Sequence, residues 1–253
     1  ALLTMNPASD TDTYNVAMGY DAGGSITTAT HNTLIGSLVG DALTSGGANV
    51  AIGGGASYAA LGSDTQGKFS TAIGFGALTA QNFTSDTASN NTAVGYFAGG
   101  VMTTGTNNTF LGANAGDDCD DGVSNVAVGY NALSANSANL NTAVGVEALR
   151  DSTGGQNAAV GADALKGNTT GINNTAMGYA AIGQTTHTGS YNTTYGYAAG
   201  YELTSGSNNT LIGSNSGRSS APGGTHTTGS NSVVIGDNGV TAAYIKVSWT
   251  VTS

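Results

Sequence analysis

The chain has 253 residues, of which 39% are hydrophobic, 8% are charged and 41 are glycine. Ordinary soluble domains carry roughly 25% charged residues, but this hydrophobic fraction is large enough for an apolar interior and argues against a disordered chain. The net charge is −10 and the five basic residues are scattered singly, so we expect no nucleic-acid binding. No run of about 18 apolar residues exists, so we expect no membrane insertion.

Residues 1–13 form a lead-in that precedes the repetitive part of the chain. This start has no secretion signal, and Ala1 is not an initiator residue, so we expect a fragment or a processed product. The single cysteine, Cys119, excludes a disulfide within the chain, and stability must come from packing or oligomerisation.

Residues 14–240 repeat one short motif, for example NNTAVGY at residues 90–96, in 13 copies. We number positions relative to the glycine of each copy, the motif glycine, so that position −1 immediately precedes it. Most copies follow one another after 16 to 18 residues, and the longest spacings are 21 and 23 residues. The motif glycines are Gly19, Gly36, Gly53, Gly74, Gly95, Gly112, Gly129, Gly145, Gly161, Gly178, Gly196, Gly213 and Gly236.

Residue types are strongly restricted near the motif glycine. Position −4 is Asn in 11 copies, and position −3 is Thr or Val in 12. Position −2 is Ala in 8 copies, position −1 is Val, Ile, Leu or Met in 12, and position +3 is Ala in 10. A period of 16 to 18 is too short for a helical repeat, whereas N-T-A-V-G alternates and is rich in β-branched residues, which predicts a strand.

A second short strand, Y-x-A-L or Y-x-A-G, is predicted directly after the first, and a turn-rich loop follows. The chain is therefore predicted to be all-β: a parallel β-solenoid with two short strands per 16–18-residue coil. Coils stacked at about 4.8 Å give a rod roughly 60 Å long. Thr and Val or Ile share one strand face, and we expect Val and Ile to fill the interior. Asn lies on the other face, with Ala and Gly, and is expected to pair its side-chain amides in a ladder along the rod.

The other strand face consists of Ala and Gly, which suits close approach by another backbone. A coil this thin is marginally stable alone. We therefore predict a homotrimer, intertwined or side by side, with the Ala/Gly faces at its axis. The alternative is a monomeric solenoid on which this face lies flat.

The motif resembles the NSVAIG repeat in the head of trimeric autotransporter adhesins, as in NTAVG at residues 141–145 and SNSVVIG at residues 230–236. This resemblance implies a trimer of left-handed parallel β-rolls, although the period here is longer than that family's. The longer unit, NNTAVGYxAG with TTGTNN loops, is similar to phage and prophage tail-fibre proteins, including those of marine cyanophages, over nearly the whole chain.

Residues 241–253 leave the period and are predicted to form one strand containing the only Trp. The segment is similar to the one that precedes the cleavage site of tail fibres with an endosialidase-type C-terminal intramolecular chaperone. That similarity implies Ser253 is the end of a mature chain. The alternative is that this end of the sequence has no biological meaning.

The loop GDDCDDG at residues 116–122 is the sharpest candidate for chemistry. Its carboxylates could hold Ca²⁺, although the spacing does not fit an EF-hand; the alternative is a solvated acidic loop tip. Cys119 is a weaker metal ligand because the surrounding carboxylates raise a thiol pKa. The candidate carboxylates are Asp117, Asp118, Asp120 and Asp121.

Other chemistry is not indicated: we expect no enzyme, no cofactor and no assigned metal site. The histidines, in turns and without partners at ligand spacing, are expected at the surface. Aromatic residues at position +1 could stack on sugars or pack at a corner of the coil; receptor specificity is expected in the irregular loops 62–70, 81–89 and 217–229. The histidines are His31, His187 and His226, and the aromatics are Tyr20, Phe75, Tyr96, Tyr130, Tyr179 and Tyr197.

These features predict a structural, receptor-binding segment of a trimeric viral tail fibre in the virion. Its partners would be copies of itself, a host glycan or outer-membrane receptor, and other tail-fibre or baseplate proteins. A bacterial trimeric adhesin head is one alternative. An ice-binding solenoid is another, disfavoured because the stacked Thr share a face with Val and Ile and so are expected to point inward. These are Thr33, Thr71, Thr92, Thr109, Thr142, Thr175, Thr193 and Thr210.

Overall fold

A computed structural model describes residues 13–55, 57–183, 186–219, 224–237 and 239–240. These residues contain short strands and turns but no helix. The predicted C-terminal strand at residues 241–253, and all but residue 13 of the lead-in, lie outside this part of the chain. The strands are β1 (Val16–Met18), β2 (Thr33–Ile35), β3 (Val50–Ile52), β4 (Gly67–Lys68), β5 (Thr71–Ile73), β6 (Thr87–Ala88), β7 (Thr92–Val94), β8 (Thr109–Leu111), β9 (Val126–Val128), β10 (Thr142–Val144), β11 (Ala158–Val160), β12 (Thr175–Met177), β13 (Thr193–Tyr195), β14 (Thr210–Ile212) and β15 (Val233–Ile235).

Thirteen of these strands form one continuous parallel sheet, one strand for each motif copy. Each strand covers positions −3 to −1 and pairs with the same positions of the next coil, so that Ala143 lies beside Ala127 and Ala159. The register is kept by backbone bonds between successive coils, such as that from the Thr142 N–H to the Asn157 carbonyl, 2.8 Å. The predicted all-β parallel solenoid is thus confirmed.

The motif glycine ends each strand in a conformation that other residues avoid. Gly145 has φ +137°, and a Cβ there would lie 2.5 Å from the carbonyl oxygen of Gly161 in the next coil. Neighbouring backbones therefore approach too closely at this corner for any side chain.

The prediction of a second strand in each coil is wrong. The segment after the motif glycine consists of turns, held by backbone bonds to neighbouring coils such as Leu149 N–H to Ala164 O, 3.0 Å. Positive φ angles at positions +2 and +4, as at Glu147 and Leu149, are incompatible with an extended strand.

The predicted orientation of the strands is also wrong. The −2 side chains are the ones inside the coil: from Leu34 to Leu211 every one is at most 1% exposed. The flanking −3 and −1 side chains point outward and are half-buried or exposed, as for Thr142 and Val144. Val and Ile therefore do not fill the interior.

The interior is filled mainly from the opposite side of the coil. Ala at +3 and a larger side chain at +4 or +7 face the strand; in the Gly145 coil these are Ala148 and Leu149, both fully buried. The gap between strand and turns is narrow, so alanine suits the strand side.

A ladder of Asn residues runs along the rod as predicted and is buried, but its side chains bond mainly to backbone groups and only in a few coils to one another. The Oδ1 atom of each Asn accepts the backbone N–H of the residue at position −4 in the next coil, as from Asn174 to Asn157, 2.9 Å. In most coils its Nδ2 donates to a loop carbonyl, as from Asn157 to Gly171, 2.9 Å. The ladder thus satisfies backbone groups that the short strands leave unpaired inside the rod.

Candidate functional site

The outward face of the 13-stranded sheet is a regular surface that runs along the described chain. The side chains at position −1 form a row along this face, and several of them are exposed, including Leu111 (48%), Tyr195 (58%) and Ile235 (57%). A shallow depression of about 320 Å³ on this face is lined by Val160, Met177 and Tyr195 with two motif glycines. Extended apolar surface of this kind marks an interaction face.

The threonines at position −3 form a second row of side chains on the same face. Thr92, Thr109 and Thr193 are exposed, and the other five are half-buried. The expectation that they point inward is therefore wrong, although their shared face with Val and Ile is as predicted. Likewise, the prediction that an Ala/Gly face lies at a trimer axis is wrong, because the alanines occupy the coil interior.

The aromatic residues at +1 lie at the corner next to this face and are exposed, from Phe75 (39%) to Tyr20 (77%). Two adjacent pairs stack in register: Phe75 on Tyr96, 5.8 Å between ring centroids, and Tyr179 on Tyr197, 5.5 Å. Rings that stack yet stay exposed offer a platform for a flat apolar ligand.

The acidic loop does not converge on a metal site. Cys119 is fully buried, between Asn125 and Ser137, and burial raises the pKa of its thiol to about 11. Asp118 and Asp121 are exposed, while Asp120 accepts a hydrogen bond from the Thr103 hydroxyl. Within the described residues, no three His, Cys, Asp or Glu side chains are grouped to hold a metal ion.

The three histidines differ in environment. His31 is exposed and stacks on Tyr14, with 5.0 Å between ring centroids. His187, in contrast, is fully buried with Nδ1 3.1 Å from the carbonyl of Leu203, so its predicted surface position is wrong. Burial lowers the pKa of His187, which favours the neutral ring.

The irregular loops 62–70 and 81–89 pack on each other. They belong to the two consecutive 21-residue repeats, and β4 pairs in parallel with β6 in a separate two-stranded sheet. Lys68 Nζ lies 2.6 Å from Asp86 Oδ1. Insertions in neighbouring coils thus support each other. The third irregular loop, 217–229, is described except for residues 220–223.

A buried carboxylate that no sequence pattern indicated anchors these loops. Asp64 Oδ1 accepts the N–H groups of Gly67 and Phe83, while Oδ2 accepts from Gln81 Nε2 at 2.7 Å. Burial raises the pKa of Asp64. Gln81 also binds Ser70 and Asn91, so this network replaces the Asn ladder where Ser70 interrupts it.

Comparison of the chain with protein-family models, with curated proteins and with solved structures finds no match. No helix in the described ranges is long and apolar enough to cross a membrane. The functional argument therefore depends on the exposed surfaces of the rod.

Proposed function

We propose that this chain is a structural and receptor-binding segment of a homotrimeric tail fibre, which a virion uses to attach to a bacterial surface. The observation that carries the proposal is the row of outward-facing side chains at position −1, which runs over 13 strands and is half-buried to exposed. A rod that must stay soluble would bury such a face against other copies of itself.

The size of the face supports this assembly. Twelve steps of about 4.8 Å and a strand width of about 10 Å give a strip of roughly 600 Å². That is the same order as the roughly 800 Å² that each partner buries in a standard interface. The trimer contact would therefore consist of Thr, Val and Ile side chains, in place of the Ala/Gly contact expected from the sequence.

Attachment is supported by the motif resemblance to phage tail fibres. A stiff trimer holds weak sites in threefold array, and multivalency strengthens weak contacts by orders of magnitude. A bacterial adhesin head would use the same rod and the same interface.

The test is the solution mass, measured by light scattering on a size-exclusion column. We expect three times the chain mass of 24.7 kDa. Val160→Lys places a charge on the sheet face and should yield monomers. Val101→Lys, at an exposed site on the turn side, is the matched control and should leave the trimer intact. A monomeric wild type would overturn the proposal.

Ice binding is the second candidate, because the structure turns the threonine row outward on a regular sheet. It requires the same face to be free, so the two functions predict different masses. A monomer that lowers the freezing point below the melting point would favour ice binding. A trimer without this hysteresis would exclude it.

A further inference from the structure

A cleft of about 390 Å³ lies on the turn side of the rod, where the coils of Gly161, Gly178, Gly196 and Gly213 stack. The cleft is open because two successive coils carry small residues at its base: Ala180 and Gly183 in one coil, and Ala198 in the next. The equivalent positions of the preceding coil carry Asp163 and Lys166, whose side chains pair at 3.2 Å.

The walls of the cleft are aromatic. Tyr179 and Tyr197 stack with ring centroids 5.5 Å apart and an interplanar angle of 13°, and they are 51% and 56% exposed. Tyr201 lines the cleft as well, and the Arg218 guanidinium lies 4.9 Å from its ring centroid. This cation–π contact and a hydrogen bond from Arg218 to Asn215 hold both side chains in place.

Polar groups stand at the two ends of the cleft. Lys166 and Asp163 mark one end and Arg218 the other, three coil steps or about 14 Å apart along the rod. This length suits a short oligosaccharide laid along the coils. Aromatic rings cover the apolar faces of sugar rings, while carboxylate, ammonium and guanidinium groups bond to their hydroxyls.

The charges favour a neutral sugar. Lys166 is paired with Glu147 and Asp163, and Arg218 lies near Glu202, 3.7 Å away. Both cations are therefore compensated, and the net charge of −10 repels anions. We propose that this cleft binds a neutral oligosaccharide of two or three rings, stacked on Tyr179 and Tyr197.

The proposal rests on the proposed attachment role and identifies its receptor chemistry. The test is binding of the fluorescently labelled chain to an array of immobilised neutral and anionic oligosaccharides. We expect the wild type to bind neutral members. Tyr179→Ala/Tyr197→Ala should weaken this binding about tenfold, which corresponds to the loss of roughly 1.4 kcal/mol of stacking.

The matched control is Phe75→Ala/Tyr96→Ala, which removes the other in-register pair at position +1 and should leave binding unchanged. Arg218→Gln gives a second test that keeps both rings, and should weaken binding severalfold. Thermal melting of each variant checks that the rod remains folded. The proposal is overturned if no neutral oligosaccharide binds, if only anionic ones bind, or if both aromatic double variants bind like the wild type.

The outcome is separable from that of the fibre proposal. A trimer that binds no neutral oligosaccharide would overturn the cleft assignment alone. A monomer whose sugar binding depends on Tyr179 and Tyr197 would overturn the fibre and retain the cleft.

Discussion

The Gly112 coil and the Gly145 coil fill equivalent interiors with different residues. In the Gly145 coil, Ala143 at −2 is small, Leu149 at +4 is large and Ser152 at +7 is polar. In the Gly112 coil, the −2 residue is Phe110 and position +4 is Gly116. A Cβ on Gly116 would lie 2.5 Å from the Phe110 ring, so the two large side chains exclude each other.

This difference extends to other coils. In five coils with Gly at position +4 an apolar residue stands at +7, as at Leu43 and Met102, whereas the Gly213 coil has Ser220 there. In the coils with Leu at +4, position +7 is polar, as at Gln81 and Asn168. The coils that follow this exchange therefore keep a similar interior volume while their residues vary. A solenoid with one narrow core tolerates substitutions that stay balanced within the coil.

Phe110→Ala should have the largest effect on this balance. Phe110 is among the largest fully buried side chains, and its loss leaves a cavity that Gly116 does not fill. We expect a loss of about 3–5 kcal/mol in the free energy of unfolding, measured by urea denaturation. The double variant Phe110→Ala/Gly116→Leu reproduces the Gly145 pattern and should recover much of the loss. A double variant no more stable than Phe110→Ala would refute the volume exchange.

The Asn ladder, in contrast, is the same in both coils. Asn108 bonds the Gly122 carbonyl at 2.7 Å and the N–H of Asn125 at 2.9 Å. Asn141 bonds the Gly154 carbonyl and the N–H of Asn157, both at 3.0 Å.

Asn108→Ala and Asn141→Ala should therefore cost similar amounts, about 2–4 kcal/mol each, because each leaves two buried backbone groups unpaired. Urea denaturation of both variants measures the costs. Costs that differ by more than about 2 kcal/mol would show that the ladder depends on how the coil is filled.

The smallest expected effect concerns position +5, which is Arg150 in the Gly145 coil and Asp117 in the Gly112 coil. Arg150 pairs with Glu147 at 2.9 Å and with Asp151 at 2.7 Å. Partial burial, reinforced by the nearby Asp118, raises the pKa of Asp117 from 3.8 to about 6. Because the folded state holds this proton more tightly, stability is lost as pH rises from about 4 through 6.

Asp117→Asn should remove this loss. We expect a gain of less than about 1 kcal/mol at pH 7, since half-exposed charges are screened. The gain should vanish below pH 4, where both side chains are neutral. Thermal melting from pH 3 to 8 measures it, with Asp121→Asn as the exposed control. A gain that is equal at pH 3 and pH 7 would contradict the electrostatic origin.

Much of the candidate surface was predictable from the sequence as residue types, but its geometry was not. The repeat placed aromatic residues at +1 of several coils, and these lie exposed in a column. The cleft depends on which coils carry small residues at +2 and +5. It also depends on the order of the coils, which places Lys166 at one end and Arg218 at the other. Buried His187 and the Asp64 network depend on long-range contacts that no local pattern encodes.

The sequence by itself determined the period, the strand positions, the glycine corners and the Asn ladder, because each follows from a residue type repeated at a fixed spacing. Alternation along a strand defines two faces but does not say which is inside. Tertiary structure decided that the face of Asn and Ala is buried, leaving Thr, Val and Ile outside. The physical reason is that positions −4 and −2 share a face: burying Asn, whose amide pairs backbone groups of neighbouring coils, also buries Ala.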